Sequence, residues 1–363
     1  METAWKCYDF VKRNRGKILV AGTVTGGVLL AQRIYESRQR QLETPHLEHG
    51  PAAKARRQYI FDSNHRSCES KLVELLPAIK NQLEKHFNVE YVITLLRDDT
   101  LSQDEKVEIW GKIKIMSFAR IVAATYSYAA LVHVMKCQMS IVSAGIYRTM
   151  QNSASAPKSG WMSYLPEVIS SQFSGSDSQL PADQMSSHMS QEVFLRCIQY
   201  FTITGLNQLF ESIYNISAHL VRDVELTRKL TSSELNDMIV TALLRVQELD
   251  LAKFVVPGLG ENAELNDLLV RLITIIQSNQ FKDNLRYSLD PFAETLNNLI
   301  VSAHGENEPK PFAKLIPTMA DSFFMVASTE IESPVSNCII SPELYRLSRE
   351  VFNANIEVNS SSD

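Results

Sequence analysis

The sequence predicts an all-α fold: a large elongated bundle of long helices, preceded by a single short N-terminal membrane-anchor helix. Three observations carry this expectation. From position 52 onward apolar residues recur at spacings of three and four, the period of one helix face. Ser102 with Glu105, and Thr231 with Glu234, have the S/T-x-x-E form in which side chains satisfy the orphan donors of a helix start. No alternating apolar and polar run is joined to another by an Asn-Gly or Asp-Gly turn, so nothing announces a hairpin. Of the 363 residues 45% are hydrophobic and 21% charged, enough apolar material for a core and too much charge for a polytopic membrane protein.

The first element is a basic head. Residues 1–60 carry 11 Lys and Arg against 5 Asp and Glu, which leaves 25 against 36 for the rest, so the formal net charge of -5 averages a basic head and an acidic body. An acidic body argues against a nucleic-acid partner, which needs a basic footprint to neutralise phosphates. After Lys12, Arg13, Arg15 and Lys17, residues 18–32 are uncharged and Arg33 ends the run. Fifteen helical residues rise about 22 Å, short of the roughly 30 Å bilayer core, unless Lys17 and Arg33 snorkel outward. Trp5, Tyr8 and Tyr35 stand where interfacial aromatics belong. A membrane anchor built on Ile18, Leu19, Val20, Gly22, Gly26, Val28, Leu29 and Leu30 is the favoured reading, with a cleaved signal and a soluble amphipathic helix as rivals. Against the signal stands the lack of a clear small-x-small site before Arg33, and against the amphipathic helix the lack of a polar face. Residues 1–45 are therefore set apart from a helical body over 46–363.

Within the body, Leu72, Leu75, Leu76, Ile79 and Leu83 share one face, and Pro77 is expected to kink that helix. The longest helical stretch runs from about Ser102 to Tyr147. Its uncharged centre, residues 121–135, reads as a buried core helix, because Arg120 and Lys136 bound only fifteen residues and several polar side chains dilute them. His133 on that stretch reads as a hydrogen-bonded core histidine, since the Cys137 one turn on lacks further ligands beside it. A serine-rich stretch with five further Gly or Pro residues follows over about 151–191 and reads as a flexible connection. Two more faces come after it: Leu235, Ile239, Ala242, Val246 and Leu249, then Leu265, Leu268, Leu269, Leu272 and Ile276.

The templates for chemistry are not met. GxxxxGK[ST], HExxH and GxSxG are absent, and Gly258-Leu259-Gly260 lacks the third glycine and the preceding strand of a nucleotide loop. Cys7, Cys68, Cys137, Cys197 and Cys338 are scattered without CxxC pairs, which fits a reducing compartment and no metal site. No catalytic residue, cofactor or metal is therefore expected, and a helical domain on a tether is expected to bind something.

Two strings name what. Residues 55–68, ARRQYIFDSNHRSC, followed by Leu75-Leu76-Pro77, and residues 107–120, VEIWGKIKIMSFAR, resemble landmarks of the peroxisomal biogenesis factor 3 (peroxin-3) family. Trp5, the basic cluster, the glycine-rich run at 22–27 and Ala313-Lys314-Leu315-Ile316-Pro317 follow in the family's order. The resemblance implies a non-enzymatic protein anchored in the peroxisomal membrane by its N-terminal segment, with its helical domain in the cytosol. It implies docking of peroxin-19, the soluble carrier of newly made membrane proteins, whose amphipathic N-terminal helix enters an apolar groove; cargo is then met only indirectly. Trp110 matches the family's groove tryptophan, and Leu95, Leu96 and Arg97 match the segment before it. From the residues alone such a tryptophan is more often core. As a docking site, Lys106, Trp110 and Lys114 stand one turn apart, an indole between two amines, with Ile113 beside them, and tryptophan is the commonest hot spot of such grooves. Lys314 and Pro317 are carried over as groove-edge residues. The acidic spacer 98–105 and the Ser143-Ala144-Gly145 segment depart from the family pattern, and the serine-rich connection aligns poorly. Two rivals stay open: an anchored adaptor of another organelle, such as the mitochondrial outer membrane, and a helical enzyme with an unfamiliar site.

Overall fold

In the computed structural model the described residues are 51–97, 100–152, 182–305, 308–328, 330 and 332–357. The expected anchor, residues 18–32, lies outside them.

The described residues are mostly helical, as the periodicity predicts. Helix α1 (Pro51–His86) carries Leu72, Leu76, Ile79 and Leu83 fully buried, with Leu75 at the edge of the face, and its helical backbone continues through Pro77. A seven-residue α2 (Val89–Leu95) begins at Asn88, whose side-chain oxygen accepts from the Tyr91 amide at 3.0 Å. Helix α3 (Gln103–Asn152) starts at the foreseen cap: Glu105 accepts from the Ser102 amide at 2.7 Å, and its own amide donates to the Ser102 hydroxyl at 3.3 Å. Every residue from 113 to 144 is buried. That is why this helix is apolar on all sides rather than striped. It is long and apolar enough to cross a membrane, yet its most apolar stretch is entirely covered by the rest of the fold.

The cover comes from both directions along the chain. Helix α4 (Ala182–Tyr200) passes into a π-turn (Phe201–Gly205) and then α5 (Leu206–Val221). Its start shortens the expected serine-rich connection, because 182–191 are already helical; the buried Ser190 hydroxyl donates to Glu264 and accepts from Asn262. Helices α6 (Ser232–Gln247), α7 (Ala252–Val255), α8 (Ala263–Gln277) and α9 (Asn279–His304) follow, then α10 (Phe312–Val326), α11 (Pro334–Ile339) and α12 (Pro342–Glu357). Thr231 and Glu234 form the foreseen capping box on α6. Helices α1, α2, α5, α9, α10 and α12 all pack on α3.

One element departs from the all-helical reading. β1 (Lys229–Leu230) and β2 (Lys310–Pro311) form a minimal antiparallel pair, Lys229 opposite Pro311 and Leu230 opposite Lys310. Two-residue strands carry no alternation for a sequence pattern to detect. At Gly205 the absence of a side chain is structural: a Cβ there would sit 1.9 Å from the Phe254 carbonyl oxygen, so α7 can close on the π-turn only over a glycine.

Three buried cations fasten the surrounding helices to α3. Lys114 Nζ donates to the Arg222 and Val224 carbonyls beyond the end of α5, at 2.9 and 2.7 Å. Lys136 Nζ bonds Glu69 at 3.0 Å and His65 at 2.9 Å on α1, and the Ile339 carbonyl at the end of α11. Arg120 bridges α2 and α10, as described below. Such pairs help stability only where hydrogen bonds compensate desolvation, and each of these ammonium or guanidinium groups has two or more oxygen partners. His133 behaves as foreseen: Nδ1–H donates to the Ala129 carbonyl at 2.8 Å, and Nε2 lies 3.0 Å from the Asn284 side-chain amide and 3.3 Å from the Ser288 hydroxyl.

Candidate partner-docking face

The first turns of α3 differ from the rest of it. Cap formation at Ser102 directs Gln103–Lys112 clear of the core before the helix dives under its neighbours. Val107 is 60% exposed and Trp110 39% exposed, three residues apart and therefore on one face, while Ile109 packs half-buried against the core. Lys106, half-buried, is one turn before Trp110 and can reach over the indole's edge.

Other residues of the expected set lie on α2 and α10, both of which pack on α3. On α2, Tyr91 and Leu95 are exposed one turn apart, Ile93 is exposed too, and Leu96 is half-buried against the core, followed by exposed Arg97. Tyr91 and Leu95 thus present apolar surface to water on one face of a seven-residue helix. Helix α10 is started by the 222–230 segment: the Phe312 and Ala313 amides donate to the Arg228 and Leu226 carbonyls. The same segment receives Lys114 through Arg222 and Val224, so α10 begins at the level of α3 one turn beyond Trp110. Lys314 and Pro317 are both exposed on its outer side.

Two expected contact residues are corrected. Ile113 is fully buried and Lys114 is 5% exposed, its ammonium donating to two backbone carbonyls of the fold. The indole is therefore flanked by one available amine, Lys106, and not two. Helical spacing placed Lys114 on the right face, but α3 has already entered the body at that point, and the 222–224 carbonyls supply acceptors that no local pattern reveals. Burial pulls the Lys114 ammonium below its usual pKa, partly offset by Asp223.

Arg120, expected only as the charged end of a buried stretch, joins α2 to α10. Its side chain is completely buried. Nη1 donates to both Glu90 carboxylate oxygens at 3.0 and 2.9 Å and to the Phe87 carbonyl at 3.4 Å; Nη2 donates to the Ala320 carbonyl at 3.3 Å. The guanidinium lies 4.4 Å from the centre of the Phe323 ring, on α10.

Two cavities occur elsewhere. One of about 650 Å³ is lined by Tyr126, Leu244, Gln247, Phe281 and neighbours, and one of about 480 Å³ by Tyr287, Ser288, Cys338, Pro342 and neighbours. Neither includes a residue of the face around Trp110. Among the described residues no group of His, Cys, Asp or Glu is placed to hold a metal ion.

No protein-family model matches the chain. Curated proteins do. Peroxisomal biogenesis factor 3 of Mus musculus is 31% identical over 241 residues, 66% of this chain and 57% of that protein. The chain is a homologue of peroxisomal biogenesis factor 3. The protein of that name from Rattus norvegicus is also 31% identical, over 179 residues, so this homologue spans about half the length of the rat relative it matches. Peroxisome biogenesis protein 3-2 of Arabidopsis thaliana is 20% identical over 348 residues, 88% of this chain and 90% of that protein. The likeness to the peroxisomal biogenesis factor 3 proteins thus reaches beyond the two strings that first carried it.

Proposed function

We propose that this chain acts in peroxisome biogenesis as a non-enzymatic docking receptor in the peroxisomal membrane, held there by residues 18–32, with its helical body in the cytosol. In this reading the face around Trp110 receives the amphipathic N-terminal helix of peroxin-19 carrying newly made membrane proteins. The observation that carries the proposal is Trp110 itself, 39% exposed near Val107 in the first turns of α3, before its continuously buried stretch. An apolar anchor, together with exposed Tyr91 and Leu95 on α2 and Lys314 and Pro317 on α10, offers the kinds of side chain that helix-in-groove recognition requires, an apolar floor and a partly charged rim. Lys106 and Arg97 are the cations available to acidic side chains of an incoming helix.

The test is a titration of the full chain in detergent with a synthetic peptide of the peroxin-19 N-terminal helix, followed by tryptophan emission and calorimetry. Saturable one-to-one binding that shifts the emission supports the reading, and no binding at millimolar peptide refutes it. Imaging of a tagged chain beside a peroxisomal matrix marker tests the membrane assignment, and exclusive mitochondrial residence would overturn it.

A further inference from the structure

We infer that Arg120 is a positioning residue for the docking face: its guanidinium sets the placement of α2 and α10, which carry the proposed contact residues Leu95, Lys314 and Pro317, relative to α3. The inference rests on the docking reading above. Ten residues separate Arg120 from Trp110, about 15 Å along the helix axis, and the side chain is fully buried. It therefore acts on a bound helix only through the two elements it holds.

The geometry is that of a fork with its ends in different helices. Nη1 takes the Glu90 carboxylate and the Phe87 carbonyl, fixing the start of α2 and the end of α1; Nη2 takes the Ala320 carbonyl in the middle of α10. The cation also covers the Phe323 ring at 4.4 Å and approaches Phe324 at 5.7 Å, both on α10. Nε has no partner among the described residues, and the bonds of Nη1 and Nη2 all reach outside α3. Helix α2 is short enough that it does not hold itself: at seven residues it lies well below the length at which isolated helices persist. Only Val89 and Val92 on it are buried, which leaves Asn88 capping and the Glu90–Arg120 pair as its polar tethers. Helix α10 is fixed at its first turn by the 226–228 carbonyls and next at Ala320 by Arg120. Arginine suits this task and lysine does not, because a single ammonium lacks the planar fork that reaches acceptors on both sides at once.

The experiment compares Arg120→Lys and Glu90→Gln with the unaltered full chain in detergent, at temperatures where circular dichroism finds each variant fully folded. Peptide affinity for the peroxin-19 helix and amide hydrogen exchange are read on the same samples. Arg120→Lys is expected to weaken the peptide about tenfold, and Glu90→Gln about threefold, with faster exchange confined to residues 89–95 and 312–326. A merely structural arginine would lower the unfolding midpoint and leave the affinity of the folded variants unchanged. That result, or faster exchange spread evenly over α6 and α8 as well, overturns the inference. Loss of binding in the unaltered chain would instead refute the docking reading, and this inference with it. Unaltered binding combined with unchanged affinity in both variants removes this inference alone.

Discussion

Replacing Trp110 by alanine separates the two roles this residue holds, because the indole is partly covered by the fold and partly open. With about 250 Å² for a tryptophan side chain, 39% exposure leaves roughly 100 Å² to be covered by a partner. At about 25 cal/mol per Å² that area contributes ~2.5 kcal/mol to docking, a loss of about 60-fold in Kd on truncation. The covered remainder, roughly 150 Å², corresponds to at most ~4 kcal/mol of folding free energy, an upper bound because an unfolded chain already shields part of it. The variant should thus lose both affinity and some stability, and not affinity alone. Calorimetry with the peroxin-19 peptide, performed well below the unfolding transition located by urea titration, measures the two separately. A folded Trp110→Ala variant that binds within twofold of the unaltered chain would refute the argument and assign Trp110 to the fold only.

Three other outcomes follow from buried groups and close contacts. Glu69→Gln strips the fully buried Lys136 of its carboxylate and should cost about 3 kcal/mol in urea unfolding, whereas the double variant Glu69→Leu with Lys136→Met should recover most of that loss, because both charges leave together. Burial holds the His133 imidazole at a pKa of about 4, below its ordinary 6.5, so the unfolded chain takes up a proton that the folded one refuses. Stability from this site is complete above pH 6.5 and falls as the pH drops toward 4, by ~1.4 kcal/mol per unit, and His133→Gln should flatten that part of the pH profile. Gly205→Ala brings a methyl group against the Phe254 carbonyl and should destabilise the fold by about 3 kcal/mol or more, read as a lower thermal midpoint.

The parts of this fold that are legible in the sequence are those decided locally. The Ser102 and Thr231 caps, the burial of 121–135, the faces of α1 and α6, and His133 as a core residue all depend on neighbours within a turn or two. What escaped depends on partners far along the chain. Arg120 and Lys136 were read as the charged ends of a buried stretch, yet both lie inside it, because their acceptors arrive from residues 69, 90, 320 and 339. Lys114 sits on the face that helical spacing gives it, but the carbonyls that claim it belong to 222 and 224. Ser186, Ser187 and Ser190 made the start of α4 look like linker, although the helix is already running there. The face around Trp110 required the family resemblance to be noticed, since nothing in the residues alone distinguishes a half-open tryptophan from a buried one.

The covered middle of α3 also bears on how this protein is made. Helix α12, which packs on α3, lies far beyond it in the sequence, so during synthesis the part of α3 that α12 covers stays open until α12 has left the ribosome. Throughout that interval the nascent chain displays a helix that by length and hydropathy passes for a membrane span. What separates this helix from a membrane span is thus the cover its neighbours supply and not its own composition, and removing α12 should leave part of that cover missing.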